Sequence, residues 1–104
     1  MIGRVFGEIR AERKRQDEKW GEQNLPMLNI PFSLEAMQNS AKALKALNDD
    51  GQHLSWFSIL LEGVYGAFAE TEPEKQRGGM VQVAAVAVQV IESLDRMIEQ
   101  GTIL

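Results

Sequence analysis

Leu60–Ala87, LLEGVYGAFAETEPEKQRGGMVQVAAVA, decides how the rest of the chain is read. It joins a helix-like segment, a turn marked by Pro73, and a longer segment that is apolar around most of its circumference. Counting in Phe57 just upstream, Phe57, Leu60, Leu61, Val64 and Phe68 recur at the spacing of one helical face, and Glu62, Gly66 and Glu70 follow at i, i+4 and i+8 along its flank. The run MVQVAAVAVQVI is rich in β-branched residues and alone would suit a buried strand. Ile91, Leu94, Met97 and Ile98 continue it at helical spacing without a turn signal, which decides for helix. Four glycines, Gly63, Gly66, Gly78 and Gly79, lie inside these segments. Each interior glycine costs roughly 1 kcal/mol relative to alanine, up to about 4 kcal/mol here against a typical total stability of about 5–15 kcal/mol.

Working outward, Ser55 is placed to cap a third helix over 55–70. Thr71 and Glu74 fit a capping box for a fourth helix over 73–100, with Pro73 in its first turn and Gly101 as its stop. Being apolar almost all round, the fourth helix is expected at the centre of a bundle or in a subunit interface. Upstream, Ser33 reads as the cap of a helix over 34–49 with Leu34, Met37, Ala41, Leu44 and Leu47 inward, ending in Asn48-Asp49-Asp50-Gly51. His53 stands alone in the following turn and reads as a solvated residue.

The first helix, 2–20, carries Ile2, Val5, Phe6 and Ile9 on one face, and the same line continues into Arg13, Gln16 and Trp20. Its first half is expected in the core and its second half along a pocket. Trp20 would stack on a flat ligand while Gln16 offers a donor and an acceptor to its edge; alternatively, Trp20 closes the core where the helix ends at Gly21. The loop 21–33, near the upper length limit for compact domains, has two prolines. Leu25, Met27, Leu28, Ile30 and Phe32 make it apolar enough to pack down. With no internal repeat, the expectation is one all-α domain, a four-helix bundle.

Composition narrows the function classes. With 104 residues, 44% hydrophobic and 25% charged, the chain has the make-up of one soluble globular domain. The absence of cysteine excludes disulfides and thiolate metal sites. No apolar run is long enough for a signal peptide, and none approaches the roughly 18 residues of a membrane span, so a cytoplasmic protein is expected. The net charge of −4 is uneven: residues 1–20 carry six basic and four acidic side chains, +2, and the other 84 carry five basic and eleven acidic, −6. The basic first helix suits either a phosphate or plain solvation with like pairs Glu8/Glu12 and Arg15/Lys19 that repel. Its interrupted basic run with a single aromatic does not favour nucleic acid.

LLEGVYGAFAE and RGGMVQVAAVAV resemble the two metal-binding helices of the MazG-like all-α nucleoside triphosphate pyrophosphohydrolases. QDEKWGEQN, residues 16–24, is similar to a stretch preceding them in phage-type members. In that family one helix carries E-E-x-x-E and the next E-x-x-D. Carboxylates spaced i, i+3 or i+4 project from one helical face, and two opposed faces make an all-oxygen site for Mg²⁺. The metals would bind the phosphates and activate a water, giving a nucleoside monophosphate and pyrophosphate.

Carried over, Glu62 matches the first acidic position and is the implied catalytic residue and metal ligand. The next two acidic positions fall on Gly63 and Gly66, the fourth helix's first on Gly79 beside Gly78, and the final aspartate on Gln82, left as a catalytic auxiliary. Trp20 and Gln16, with Arg13 and Lys19 of the basic helix, are the implied nucleotide-binding residues. The resemblance thus implies a pyrophosphohydrolase frame with activity impaired or lost, still binding a nucleotide; the fourth helix, with more apolar surface than three shorter partners can cover, adds the expectation of a homodimer or homotetramer. A working enzyme and a non-catalytic interaction module are the alternatives. The glycines either let the helix backbones meet or leave an empty pocket.

Overall fold

Capping chemistry sets the helix limits in the computed structural model, which describes residues 2–29 and 33–101. The helices are α1 (Ile2–Trp20), α2 (Ser33–Asp50), α3 (Trp56–Ala69) and α4 (Pro73–Glu99). No strand occurs among the described residues. The protein is therefore all-helical, with limits within about a residue of those expected. Ile30 and Phe32, expected to pack down with the loop, lie outside the described residues.

α1 stops where Gly21 adopts φ 67° and its N–H donates to the Asp17 carbonyl at 2.8 Å, a left-handed C-cap that glycine adopts without strain. α3 starts with a reciprocal box: Ser55 Oγ accepts from the Ser58 N–H at 3.1 Å, and Ser58 Oγ accepts from the Ser55 N–H at 3.2 Å. The capping box expected from Thr71 and Glu74 is corrected. α4 begins at Pro73, so Glu72 precedes its first residue, and the Glu72 carbonyl accepts from the Gln76 N–H at 2.9 Å. Gln76 Nε2 also donates to the Glu70 carbonyl at 2.8 Å, tying the end of α3 to the start of α4.

The chain divides into two compact units, Met1–Pro26 with Val88–Leu104, and Met27–Ala87. In the first, Val5 and Val88 are buried, and Arg4 Nη2 meets Asp95 Oδ2 at 2.9 Å between α1 and the end of α4. In the second, Leu34, Met37, Ala41 and Leu44 are half-buried along α2 as expected, but Leu47 is exposed and the half-buried Asn48 follows Leu44 on that side. On α3, Leu60, Leu61, Val64 and Phe68 are half-buried, whereas Phe57 is exposed and the fully buried positions are Ser58 and Ala67. Ser58 lies towards α2, whose Asn48 bonds its carbonyl, and Ala67 towards α4 at Gly79.

Within this unit α3, not α4, is the helix with a neighbour on both sides. Of the two places expected for α4, the centre does not hold within this unit, where Val81, Gln82, Ala84 and Ala85 are exposed; a subunit interface is the place still expected. The apolar pattern placed Phe57 and Leu47 inward because it weighs every apolar side chain alike. The packing of α2 on α3, where Asn48 bonds the Ser58 carbonyl, makes Ser58 rather than Phe57 the packed side.

Candidate functional site

α3 and α4 meet through their glycines, which divide into two kinds. A Cβ on Gly79 would lie 2.8 Å from Ala67 Cβ and 3.0 Å from Ala67 Cα, so here the backbones are in direct approach. A Cβ on Gly63 would stand 3.3 Å from Val83 Cγ2. Gly66 and Gly78 have nothing within 4 Å of the Cβ position. All four glycines line one cavity of about 390 Å³, together with Glu62, Glu70, Lys75 and Gln82. Close approach and open pocket, alternatives at the sequence level, therefore occur side by side.

Glu62 is engaged. Its Oε1 accepts from Asn48 Nδ2 at 2.7 Å, and the same nitrogen donates to the Ser58 carbonyl at 3.1 Å, so Asn48 fastens the end of α2 to the first two turns of α3. Asn48 Oδ1 is buried without a partner. Sequence reasoning used Asn48 only as a helix-end marker. The available signal was a polar residue four positions after Leu44 on the α2 stripe.

Magnesium needs near-octahedral oxygen coordination and is held through carboxylates. Besides Glu62 the cavity presents Glu70, eight residues further along α3, and Gln82, a neutral amide; among the described residues no three His, Cys, Asp or Glu side chains come together as a metal group. Lys75 lines the same cavity. Two carboxylates two turns apart, one of them bonded to Asn48, with an amide and an ammonium group do not make an all-protein Mg²⁺ cage.

A second cavity, of about 620 Å³, sits at the end of α1. Arg13, Gln16 and Trp20 line it with Asp17 and the start of the following loop, and Lys19 Nζ lies 5.0 Å from the Trp20 ring centroid. Trp20 is half-exposed, so it lines this cavity and does not close the core. Gln16 is already occupied: its Oε1 accepts from Arg13 Nη1 at 2.8 Å and its Nε2 donates to Glu12 Oε2 at 3.1 Å. Arg13 also pairs with Asp17. A ligand edge would have to displace these bonds.

Glu12, expected to repel Glu8, is bonded by Arg15 Nε at 2.9 Å and Nη2 at 2.5 Å. The Arg15 bond, followed by that of Gln16, holds its carboxyl at about 2, below the ordinary 4.5. Arg13, Gln16, Lys19 and Trp20 thus come together in the first unit, and Glu62 and Gln82 in the second.

Compared with protein-family models, curated proteins and solved structures, the chain matches none of them. The class that can be stated is an all-helical protein of four helices, in which no helix among the described residues is long and apolar enough to cross a membrane.

Proposed function

We propose that this chain is a MazG-like pyrophosphohydrolase domain that has kept the frame of its site, lost the metal chemistry, and binds a nucleoside triphosphate or its deoxy form without appreciable hydrolysis. One observation carries this reading. Glu62, Gly63, Gly66, Gly79 and Gln82, the positions matching the family's acids, line a single cavity between α3 and α4, with one carboxylate among them. Two opposed helical faces are what a carboxylate site requires; of the positions matching the family's acids only Glu62 keeps its carboxylate, and that one is already bonded to Asn48. The nucleotide would be held at Trp20, with Arg13 and Lys19 supplying positive charge. Since Lys19 lies over the Trp20 ring, a base stacks on the opposite face or displaces it.

The proposal includes self-association as a homodimer or homotetramer, supported by large exposed side chains such as Phe6 and Ile98. It also assumes a cytoplasmic setting, consistent with the lack of cysteine.

The test has two arms. Pyrophosphate release over a nucleotide panel with Mg²⁺ and Mn²⁺ is expected at background; turnover abolished by Glu62→Ala would overturn the loss of chemistry. In a Trp56→Phe background Trp20 is the only tryptophan, and its fluorescence should change on nucleotide addition without metal. No response to any nucleotide would remove the binding role and leave an interaction module.

A further inference from the structure

Gly21 decides what stands beside Trp20. Arg13, Gln16, Asp17 and Trp20 lie at i, i+3, i+4 and i+7, along one face of α1. Past Trp20 the chain leaves the helix axis, because Gly21 takes φ 67° and its N–H returns to the Asp17 carbonyl. Glu22 and Gln23 thereby line the same cavity of about 620 Å³. All of its lining residues fall between 13 and 23, so their arrangement is set by one helix end and the loop that follows it.

The polar groups of this cavity differ in what they have left to give. Arg13, Gln16 and Asp17 are bonded to one another or to Glu12. Glu22 Oε2 accepts from Asn24 Nδ2 at 3.2 Å, which positions the carboxylate and leaves Oε1 able to accept as well. Gln23 adds a carboxamide, whose NH₂ group can donate. Beside an aromatic ring the cavity thus offers one donor next to a two-oxygen acceptor.

A base stacked on Trp20 would turn its edge to these two side chains. The Watson–Crick edge of guanine reads acceptor, donor, donor: O6, N1–H and N2–H. A carboxylate takes the two N–H groups together, and an amide N–H takes O6. Every other base sets a lone pair where the carboxylate needs a proton: N1 in adenine, N3 in cytosine, and O2 or O4 beside the single N–H of uracil or thymine. We infer that the Trp20 cavity selects guanine, with the Glu22 carboxylate on N1–H and N2–H and the Gln23 amide on O6. This rests on the nucleotide binding proposed at Trp20 and names its base.

The test is a titration of Trp20 fluorescence in the Trp56→Phe background, without metal, with GTP, ITP, ATP, CTP and UTP as probes. GTP should bind about 10-fold tighter or more than ATP, CTP and UTP, the discrimination given by a bidentate pair. ITP lacks the N2 amino group, keeps one of the two donors, and should fall between GTP and ATP; that comparison does not depend on how any Glu22 variant folds. Glu22→Gln sets an amide N–H against one of guanine's donors and should bring GTP down to the level of ATP. Nucleotide binding with no preference for guanine would overturn the inference while leaving a nucleotide site at Trp20 in place. A preference for GTP that survives Glu22→Gln would overturn the role given to Glu22. No response to any of the five would remove the nucleotide reading itself, and the choice of base with it.

Discussion

Gly79 on α4 stands directly against Ala67 on α3, so near that a single added carbon would lie 2.8 Å from the alanine Cβ and 3.0 Å from its Cα. Neither of those atoms can swing aside. Next to Ala67 on α3, Gly66 faces open space, as does Gly78 beside Gly79. The cavity holding Glu62 is thus closed where Gly79 meets Ala67 and open at Gly66 and Gly78.

An alanine scan should separate the two kinds. Gly66→Ala and Gly78→Ala gain helix propensity with room for the methyl and should stabilise by about 0.5–1 kcal/mol each. Gly79→Ala gains the same but overpacks against Ala67, at a cost of about 1–3 kcal/mol, and should be the least stable of the three. Urea midpoints measure this; a Gly79→Ala protein more stable than wild type would show that the helices are not in contact there.

Glu62 has a structural role distinct from any catalytic one. Removing it leaves Asn48 with one of its two bonds, so Glu62→Ala should destabilise by about 1–2 kcal/mol. Asn48→Ala should do likewise, and the double variant should fall short of the sum by about 1 kcal/mol if the two act as a pair. Strict additivity in chemical denaturation would mean that the bond contributes nothing.

Restoring acids at the open positions should restore metal affinity. Gly66→Glu combined with Gly78→Glu adds two carboxylates to the cavity that already holds Glu62 and Glu70. Calorimetry should then detect Mn²⁺ binding absent in the wild type. A folded double variant that takes up no metal would count against the stripped-frame reading. Gly79→Glu should instead lower the melting temperature, since Ala67 occupies the space it needs.

Acid titration should reveal the Glu12–Arg15 bond. The folded carboxyl is held at about 2 against an ordinary 4.5. A depressed carboxylate stabilises the fold above its ordinary range, and that contribution disappears as pH falls from about 4.5 towards 2. The effect is small because both groups are in water. Helicity of Glu12→Gln followed by circular dichroism should decline less over that interval than wild type; identical curves would remove the coupling.

Much of the candidate site was legible as spacing but not as contact. Glu62, Gly63, Gly66, Gly79 and Gln82 could be assigned to facing helices because the resemblance to the MazG-like helices maps its acidic positions onto them, and helical spacing puts each set on one face. Arg13, Gln16 and Trp20 share a cavity because they continue one helical line. Asn48 was not legible as Glu62's partner: the two are fourteen residues apart, and only the packing of α2 on α3 brings them to 2.7 Å. Nor was the occupied state of Gln16, whose bonds to Arg13 and Glu12 depend on rotamers.

By itself the sequence determined the helices. Periodicity, Ser55, Pro73 and the glycines that follow α1, α2 and α4 act over a few residues, so the limits of all four were local properties. Tertiary structure decided which side of each helix is covered. It turned Ser58 inward and Phe57 out, gave the middle place in the second unit to α3, and sorted four like glycines into two that meet a neighbour and two that face a void. That sorting depends on the distance between backbones distant along the chain, and no local pattern encodes it.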